Sequence, residues 1–252
     1  MANKDYIQKK LVIYSVITGG YDKILPVNNV DEQCDYYIIS NEYIELPYPW
    51  KLLVPENRGF NNKDFNRYYK INPHTVFNEY KTSLYIDGNI AIVDKIYLWS
   101  EEQLVDSGFA IFSHPERNNI IDEGKICSFI GTDFFWKINH QLSKYKKEGF
   151  DYKELFEANI LLRKHNDPLI KELMSLWWSE YINDKNAKRD QLALPYALWK
   201  KKYNVKNMGE SDARFGNKYF RYMSHASNRH NTINTKIKKI VNRTIGKRFY
   251  GL

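Results

Sequence analysis

Ser83-Leu84-Tyr85-Ile86-Asp87-Gly88-Asn89 is the stretch on which the fold turns. It is a short apolar run of strand length, stopped by glycine and asparagine, and so reads as a buried strand. An acid at the carboxyl end of such a strand is where α/β proteins place ligands. Gly88 permits close backbone approach, and Asn89 offers a second oxygen donor. Hard oxygen donors suit Mg²⁺ or Mn²⁺, with Asn89 the weaker, neutral ligand beside Asp87. The same three residues also read as an ordinary turn.

Working outward, LVIYSVI at 11–17 is rich in β-branched residues and stops at Thr18-Gly19-Gly20, so it is predicted as another buried strand ending in a tight loop. DYYIIS at 35–40, a weaker run at 50–54, IAIV at 90–93, FAIFS at 109–113 and ANILLR at 158–163 complete the strands. Helices are predicted between them, at 63–71, 96–105, 134–147, 168–182 and 191–203. The fourth takes Asp167 as N-cap and Pro168 in its first turn, and Pro195 is placed in the first turn of the fifth. Strands alternating with helices predict an α/β protein with a mostly parallel sheet flanked by helices.

The composition narrows the function. Of 38 Lys and Arg, ten follow Asp212, and no acid follows it, so the net charge of +8 belongs to the end of the chain. A body close to neutral argues against a nucleic-acid groove, and the last stretch has few aromatics to stack bases. Cys34 and Cys127 make neither a disulfide framework nor a zinc site. No apolar run reaches the ~18 residues of a spanning helix. Met1 to Lys10 lacks the apolar core of a signal peptide. The expectation is a cytoplasmic protein, peripheral on the inner membrane face. Residues 1–225 are expected to form the main domain and 226–252 a basic helical tail. In that tail Ile233, Ile237, Ile240, Val241, Ile245 and Phe249 fall on one stripe among six cations. Such a helix either lies in an anionic membrane interface or docks its stripe on the domain.

Other candidate groups are scattered. Thr18, Gly19, Gly20 and Tyr21 form a loop with exposed backbone N–H groups and a ring able to stack on a base. It is neither a dinucleotide fingerprint nor a P-loop. Arg67 and Lys70 share a helix face and would pair a diphosphate, the arginine bidentate and the lysine as a point charge; a solvated face is the plain alternative. Asp190 reads as a helix N-cap. His114-Pro115-Glu116-Arg117 ends a strand, with Glu123 beyond it, and His225 lies in the basic segment. Neither a nucleophile elbow nor a His-Glu-x-x-His motif is present.

In order along the chain, VITGGYD at 16–22, RYYKINPHTVF at 67–77, SLYIDGNIAI at 83–92, SHPERNNIIDEGKIC at 113–127, EANILLRKHNDPLI at 157–170, LWWSEYI at 176–182 and KRDQLALPYALWK at 188–200 resemble a glycosyltransferase-like family. That family was first catalogued as domain of unknown function 616 and occurs in bacterial polysaccharide loci and plant Golgi proteins. The resemblance covers about residues 11–225. It is similar in layout to retaining galactosyltransferases and glycogenin, which implies a GT-A, Rossmann-like fold and a nucleotide-sugar donor such as a UDP- or GDP-sugar. By position it implies that residues 18–21 contact the nucleotide, that Arg67 and Lys70 reach the donor diphosphate, and that Asp87 and Asn89 stand where those enzymes carry Asp-x-Asp for a metal. It further implies that Asn159 lies near the donor sugar, that Asp190 holds sugar hydroxyls, that Gln191 lies where the acceptor attacks, and that His225 completes the metal shell. His114, Arg117 and Glu123, from the HPER stretch onward, join the candidate substrate-binding set.

The expected function is transfer of a sugar from a nucleotide-sugar to a glycan or lipid-linked acceptor in bacterial surface polysaccharide (capsule or lipopolysaccharide) synthesis. The rival is a non-catalytic GT-A-like module that binds glycan or nucleic acid without transfer, the basic tail supplying the phosphate contacts that nucleic acid needs.

Overall fold

The computed structural model describes residues 10–20, 22–210, 213, 216–224 and 233–246. A seven-stranded sheet forms its centre. The first strand, β1 (Leu11–Val16), is buried along its whole length, as a parallel strand covered on both faces must be. It pairs in parallel with β2 (Cys34–Ile39) on one side and β4 (Thr82–Ile86) on the other, and β2 pairs in parallel with β3 (Lys51–Leu53). Beyond β4 comes β7 (Phe156–Arg163), antiparallel to β4 and to β6 (Phe109–Ser113). A short β8 (Lys206–Asn207) closes that edge, parallel to β6. The order is β3-β2-β1-β4-β7-β6-β8. A separate ribbon joins β5 (Ile90–Ile92) to β9 (Phe220–Tyr222). The molecule is thus a Rossmann-like α/β sandwich with one reversed strand.

Strand alternation sends successive residues to opposite layers. Val12, Tyr14, Tyr85, Phe109 and Leu161 join one apolar cluster with helices α1 (Asn62–Ile71), α5 (Pro168–Ile182) and α6 (Asp190–Lys201). Leu11, Ile13, Leu84, Ile86 and Leu162 join the other, under α2 (Tyr97–Gln103) and the β5–β9 ribbon. A third, smaller cluster lies between α3 (Ile120–Ile130), α4 (Phe135–Lys147) and α6.

The helix ends follow local chemistry. Asn61 caps α1 by accepting from the Asp64 N–H, and the helix stops at Asn72 because Pro73 disfavours a helical residue before it. Asp167 caps α5 through the Leu169 and Ile170 N–H groups, with Pro168 in the first turn. In α6 the expectations need two corrections. Asp190 is not the cap but the first helical residue, after Arg189, and Pro195 falls in the second turn, inside the helix. The last helix, α7 (Ile233–Thr244), lies against α3 and the start of α4. No helix among the described residues is long and apolar enough to cross a membrane.

Candidate active site

The parallel strands end together on the side where the β1 loop and the Asp87 turn meet. Gly19 and Gly20 both take positive φ, and the Gly19 N–H donates to Glu42 Oε1 at 2.9 Å. Thr18 Oγ1 donates to Asn62 O at the start of α1. The loop rests on the turn after β4. A Cβ added to Gly88 would stand 3.1 Å from the Asp22 side chain and 3.3 Å from Ile17 Cδ1, so a side chain there would crowd the loop. Between them is a narrow cleft lined by Ile17, Leu25, Ile38, Trp50, Asp87 and Gly88. Tyr21, which was expected to stack there, lies outside the described residues.

The helix face carrying Arg67 and Lys70 is not solvated. Lys70 is 2% exposed, and its Nζ lies 2.9 Å from Asp190 Oδ2 and 3.7 Å from Asp87 Oδ1. Arg67 Nε lies 3.1 Å from the same Asp190 oxygen. Asp190 is 3% exposed. Burial alone would raise its pKa, but the charges of Arg67, Lys70 and Arg189 outweigh that and hold the carboxyl far below the usual range. For Arg67, burial favours the neutral form; Asp190 overrides it and keeps the guanidinium charged. Trp177 Nε1 donates to Asp190 O and fixes the start of α6 over α5.

Asp87 accepts from Tyr85 Oη at 2.6 Å. Burial first, then the Asp87 charge, raise the Tyr85 pKa well above its ordinary value, so the phenol stays a donor. Directly across the β4–β7 ladder, Asn159 O accepts from the Asp87 N–H, and Asn159 Oδ1 is buried with no hydrogen-bond partner. Asn89 points elsewhere: its amide donates to Met223 O, and its own carbonyl accepts from the Met223 N–H. It thereby ties the turn to the segment that follows β9.

His114, Arg117 and Glu123 form a second group, joined to the first by its neighbours in sequence. Glu123, 1% exposed at the start of α3, receives Arg117 Nε at 2.8 Å on one oxygen and Arg189 Nη2 at 3.0 Å on the other. Burial would raise its pKa, but Arg189, the Cys127 thiol and Arg117 lower it below the ordinary value. His114 Nδ1 accepts from the Glu116 and Arg117 backbone N–H groups, and the Arg117 Nη2 donor stands 3.0 Å from its Nε2. That Nε2 lies 3.6 Å from Glu157 Oε2. Gln191 Nε2 donates to Phe156 O and to Glu157 Oε2, so its amide oxygen is directed away from both.

Four residues were missed by sequence reasoning. Tyr85 stands two before Asp87 on a strand, and the two-residue strand period was enough to find it. Glu157 also stands two before Asn159, but a bulge between β6 and β7 interrupts that period. Arg189 stood in view beside Asp190. Arg163 ends an apolar strand and is fully buried; it donates to Lys70 O, Ile71 O and Tyr14 Oη, which holds the last turn of α1 in place.

The donor set at Asp87 does not by itself make a cage for a hard cation. Among the described residues no three His, Cys, Asp or Glu side chains converge for a metal. The Asp87 carboxylate already has a phenol and a lysine beside it, and the Asn89 amide nitrogen faces Met223. His225, the third expected ligand, lies outside the described residues.

No curated protein matches the chain. A family model, the TOD1/MUCI70 glycosyltransferase-like domain, matches residues 30–211. The match includes β2 through β8 and with them Arg67, Lys70, Asp87, Asn159, Asp190 and Gln191, while β1, its loop and α7 stand outside it. With well over half of its length matched, and with its buried acid and paired cations inside the match, the chain belongs to the TOD1/MUCI70 glycosyltransferase-like domain family.

Proposed function

We propose that the protein moves a hexosyl group from a nucleotide-sugar to a glycan or lipid-linked acceptor, with the Arg67–Lys70–Asp190 group at the centre of the reaction. The observation that carries the reading is that group itself. Two cations and an acid are gathered near the carboxyl end of β4, Lys70 and Asp190 nearly dry and Arg67 partly exposed, in a member of a glycosyltransferase-like family. In a dry site fixed charges act strongly on charge that develops during reaction.

Breaking a glycosyl–diphosphate bond leaves negative charge on phosphate and positive charge on the sugar ring. In this reading the loop after β1 and the Gly88 turn contact the nucleotide, and Arg67 and Lys70 face the leaving diphosphate. Both cations meet Asp190 at Oδ2, and the other carboxylate oxygen takes a sugar hydroxyl. The Gln191 amide oxygen, directed away from Glu157, faces the cationic ring. The acceptor oxygen forms the new bond to the anomeric carbon as the bond to phosphate breaks. The acceptor proton passes to the departing phosphate oxygen, so no strong base is required. Retention of configuration, GT-A kinship and a role in bacterial surface polysaccharide synthesis belong to the same proposal and rest on the family resemblance. A Mn²⁺ or Mg²⁺ ion, if Asp87 and His225 hold one, would share the leaving-group charge.

The test is a panel of UDP- and GDP-sugars followed by thermal shift, with and without Mn²⁺, since a ligand of the folded state raises the midpoint. A shift with one donor supports the reading; dependence on Mn²⁺ assigns Asp87 a metal, and independence leaves the charge to Arg67 and Lys70. Silence across the panel favours a binding module. With the donor in hand, Asp190→Asn is expected to lower turnover by about 100-fold or more, as removal of a preorganised charge does. Unchanged turnover would remove Asp190 from the mechanism.

A further inference from the structure

An amphipathic helix on a globular domain ordinarily buries its apolar stripe. The helix α7 does the reverse. Its attachment is polar: Asn242 accepts from the Phe135 N–H and donates to Ser128 O and Asp133 O, while Lys238 pairs with Asp133 at 3.4 Å. Gly131, which ends α3 at φ +73°, meets the Thr235 carbonyl and Lys239 so closely that an added Cβ would stand 2.8 Å from both. At about 3.6 residues per turn, Thr235, Lys238, Lys239 and Asn242 share one side of α7, and Ile233, Ile237 and Ile240 share the opposite side. Those isoleucines are 78%, 48% and 63% exposed.

The exposed stripe has company. On α3, Phe129 and Ile130 are also about half exposed, and the Arg243 guanidinium lies 4.3 Å from the Phe129 ring centre. Lys236 and Arg243 lie along one edge of the stripe, and no acidic residue occurs in α7. An apolar strip with cations along one edge and no acid in its helix is complementary to an anionic lipid surface: the apolar groups enter the acyl boundary and the cations meet the headgroups. A protein partner would need both an apolar groove and a matching acidic rim.

We propose that α7 and the end of α3 form one rigid membrane-docking face that binds anionic lipid, with α7 held to the domain by its polar side. The face is thereby coupled to the site. The same α3 carries Glu123, which pairs with Arg189 beside Asp190, so the bilayer would be one helix away from the place where a lipid-linked acceptor reacts. The docking inference itself does not depend on the transferase reading, because its readout needs no turnover.

The full chain is sedimented with vesicles of phosphatidylcholine alone and of phosphatidylcholine with phosphatidylglycerol, and its oligomeric state is measured without vesicles. Binding is expected to the anionic vesicles and to weaken with salt. The double variant Ile237→Asp/Ile240→Asp is expected to keep the wild-type thermal midpoint, since both side chains are exposed, and to bind on the order of tenfold less or weaker. The pair Lys236→Gln/Arg243→Gln, which alters no apolar group, is expected to lose the preference for anionic vesicles. Failure of the wild type to sediment, or equal sedimentation of the isoleucine double variant, would overturn the proposal. A wild-type dimer that the double variant renders monomeric would overturn it too, giving the face to a second copy of the chain.

Discussion

His165 illustrates how much one buried side chain dictates. It is fully buried just after β7, with Nε2 against Phe77 O at 2.8 Å and Nδ1 without a partner. A second proton would have to sit on that unpartnered nitrogen, near Arg163. Burial, with Arg163 adding to it, therefore lowers the His165 pKa from 6.5 to about 4, and His74 falls to about 4 for the same leading reason. The sign follows from proton uptake. Above pH 6.5 neither folded nor unfolded chain binds the proton, and the full stability is present. Between 6.5 and 4 the unfolded chain takes up protons that the folded chain refuses, so stability falls as pH falls. For His165 the loss approaches about 3 kcal/mol by the lower end. Urea midpoints measured from pH 7.5 to 4 should drop across this window, and His165→Gln, whose amide can still donate to Phe77 O, should flatten the slope. An unchanged slope would place the proton uptake elsewhere. Asp190 contributes little there, because its loss sets in only as the unfolded carboxyl takes up protons around its ordinary value of 3.8, and it runs on into more acid conditions. At this scale the sequence was legible where chemistry and spacing coincide. Arg67 and Lys70 announce a common helix face, and Asp87 announces a strand end. Nothing along the chain announces that Asp190, 120 positions after Lys70, closes the group. That pairing is made by the packing of α1 against α5, and of α5 against α6.

The elements that sequence reasoning found are those whose pattern is set by their own residues. Apolar runs marked β1, β4 and β6, and the Asp167-Pro168 start together with the apolar period marked α5. What it missed was set by neighbours. The two residues of β8 and three of β9 are too short to carry a pattern and are strands because β6 and β5 pair with them. In α3 the apolar residues Ile121, Ile126, Phe129 and Ile130 face outward while Glu123 is buried, which erases the contrast a helix is recognised by. The outcome for α1 rests on a residue outside it. Its last carbonyls, of Lys70 and Ile71, accept from the buried Arg163 guanidinium. The geometry of Lys70 is therefore maintained from β7. Arg163→Met keeps the side-chain length but leaves Ile71 O unpaired in the core. We expect a loss of roughly 2 kcal/mol, part of the penalty being offset by removing a buried charge. Donor turnover should fall as Lys70 loses its register, although Arg163 itself does not reach the site. Chemical denaturation and steady-state kinetics on one preparation check both, and full stability in the variant would show that α1 is held by its apolar face alone.

At the scale of the whole molecule, charge and packing divide the chain in the same place. The described part of the tail contributes no side chain to any of the three apolar clusters, and its attachment is the Asn242 and Lys238 network. The body before it is close to neutral, so the field that draws the protein toward an anionic surface comes almost wholly from the tail. Folding and surface attachment should then separate. A chain ending at residue 230 gives up the Asn242 bonds, but the carbonyls of Ser128 and Asp133 and the Phe135 N–H would become accessible to water rather than remain buried and unpaired. The expected cost is therefore about 1 kcal/mol, that of ordinary hydrogen bonds exchanged for hydration. Turnover with a water-soluble acceptor should stay within a few-fold of the full chain. Turnover with the same acceptor group anchored in anionic vesicles should fall much further, since the enzyme no longer concentrates at the surface. The two acceptors assayed side by side, at low and high salt, decide the matter. Equal loss on both would mean that α7 supports the site itself through α3 and Glu123, and that membrane attachment and catalysis cannot be divided.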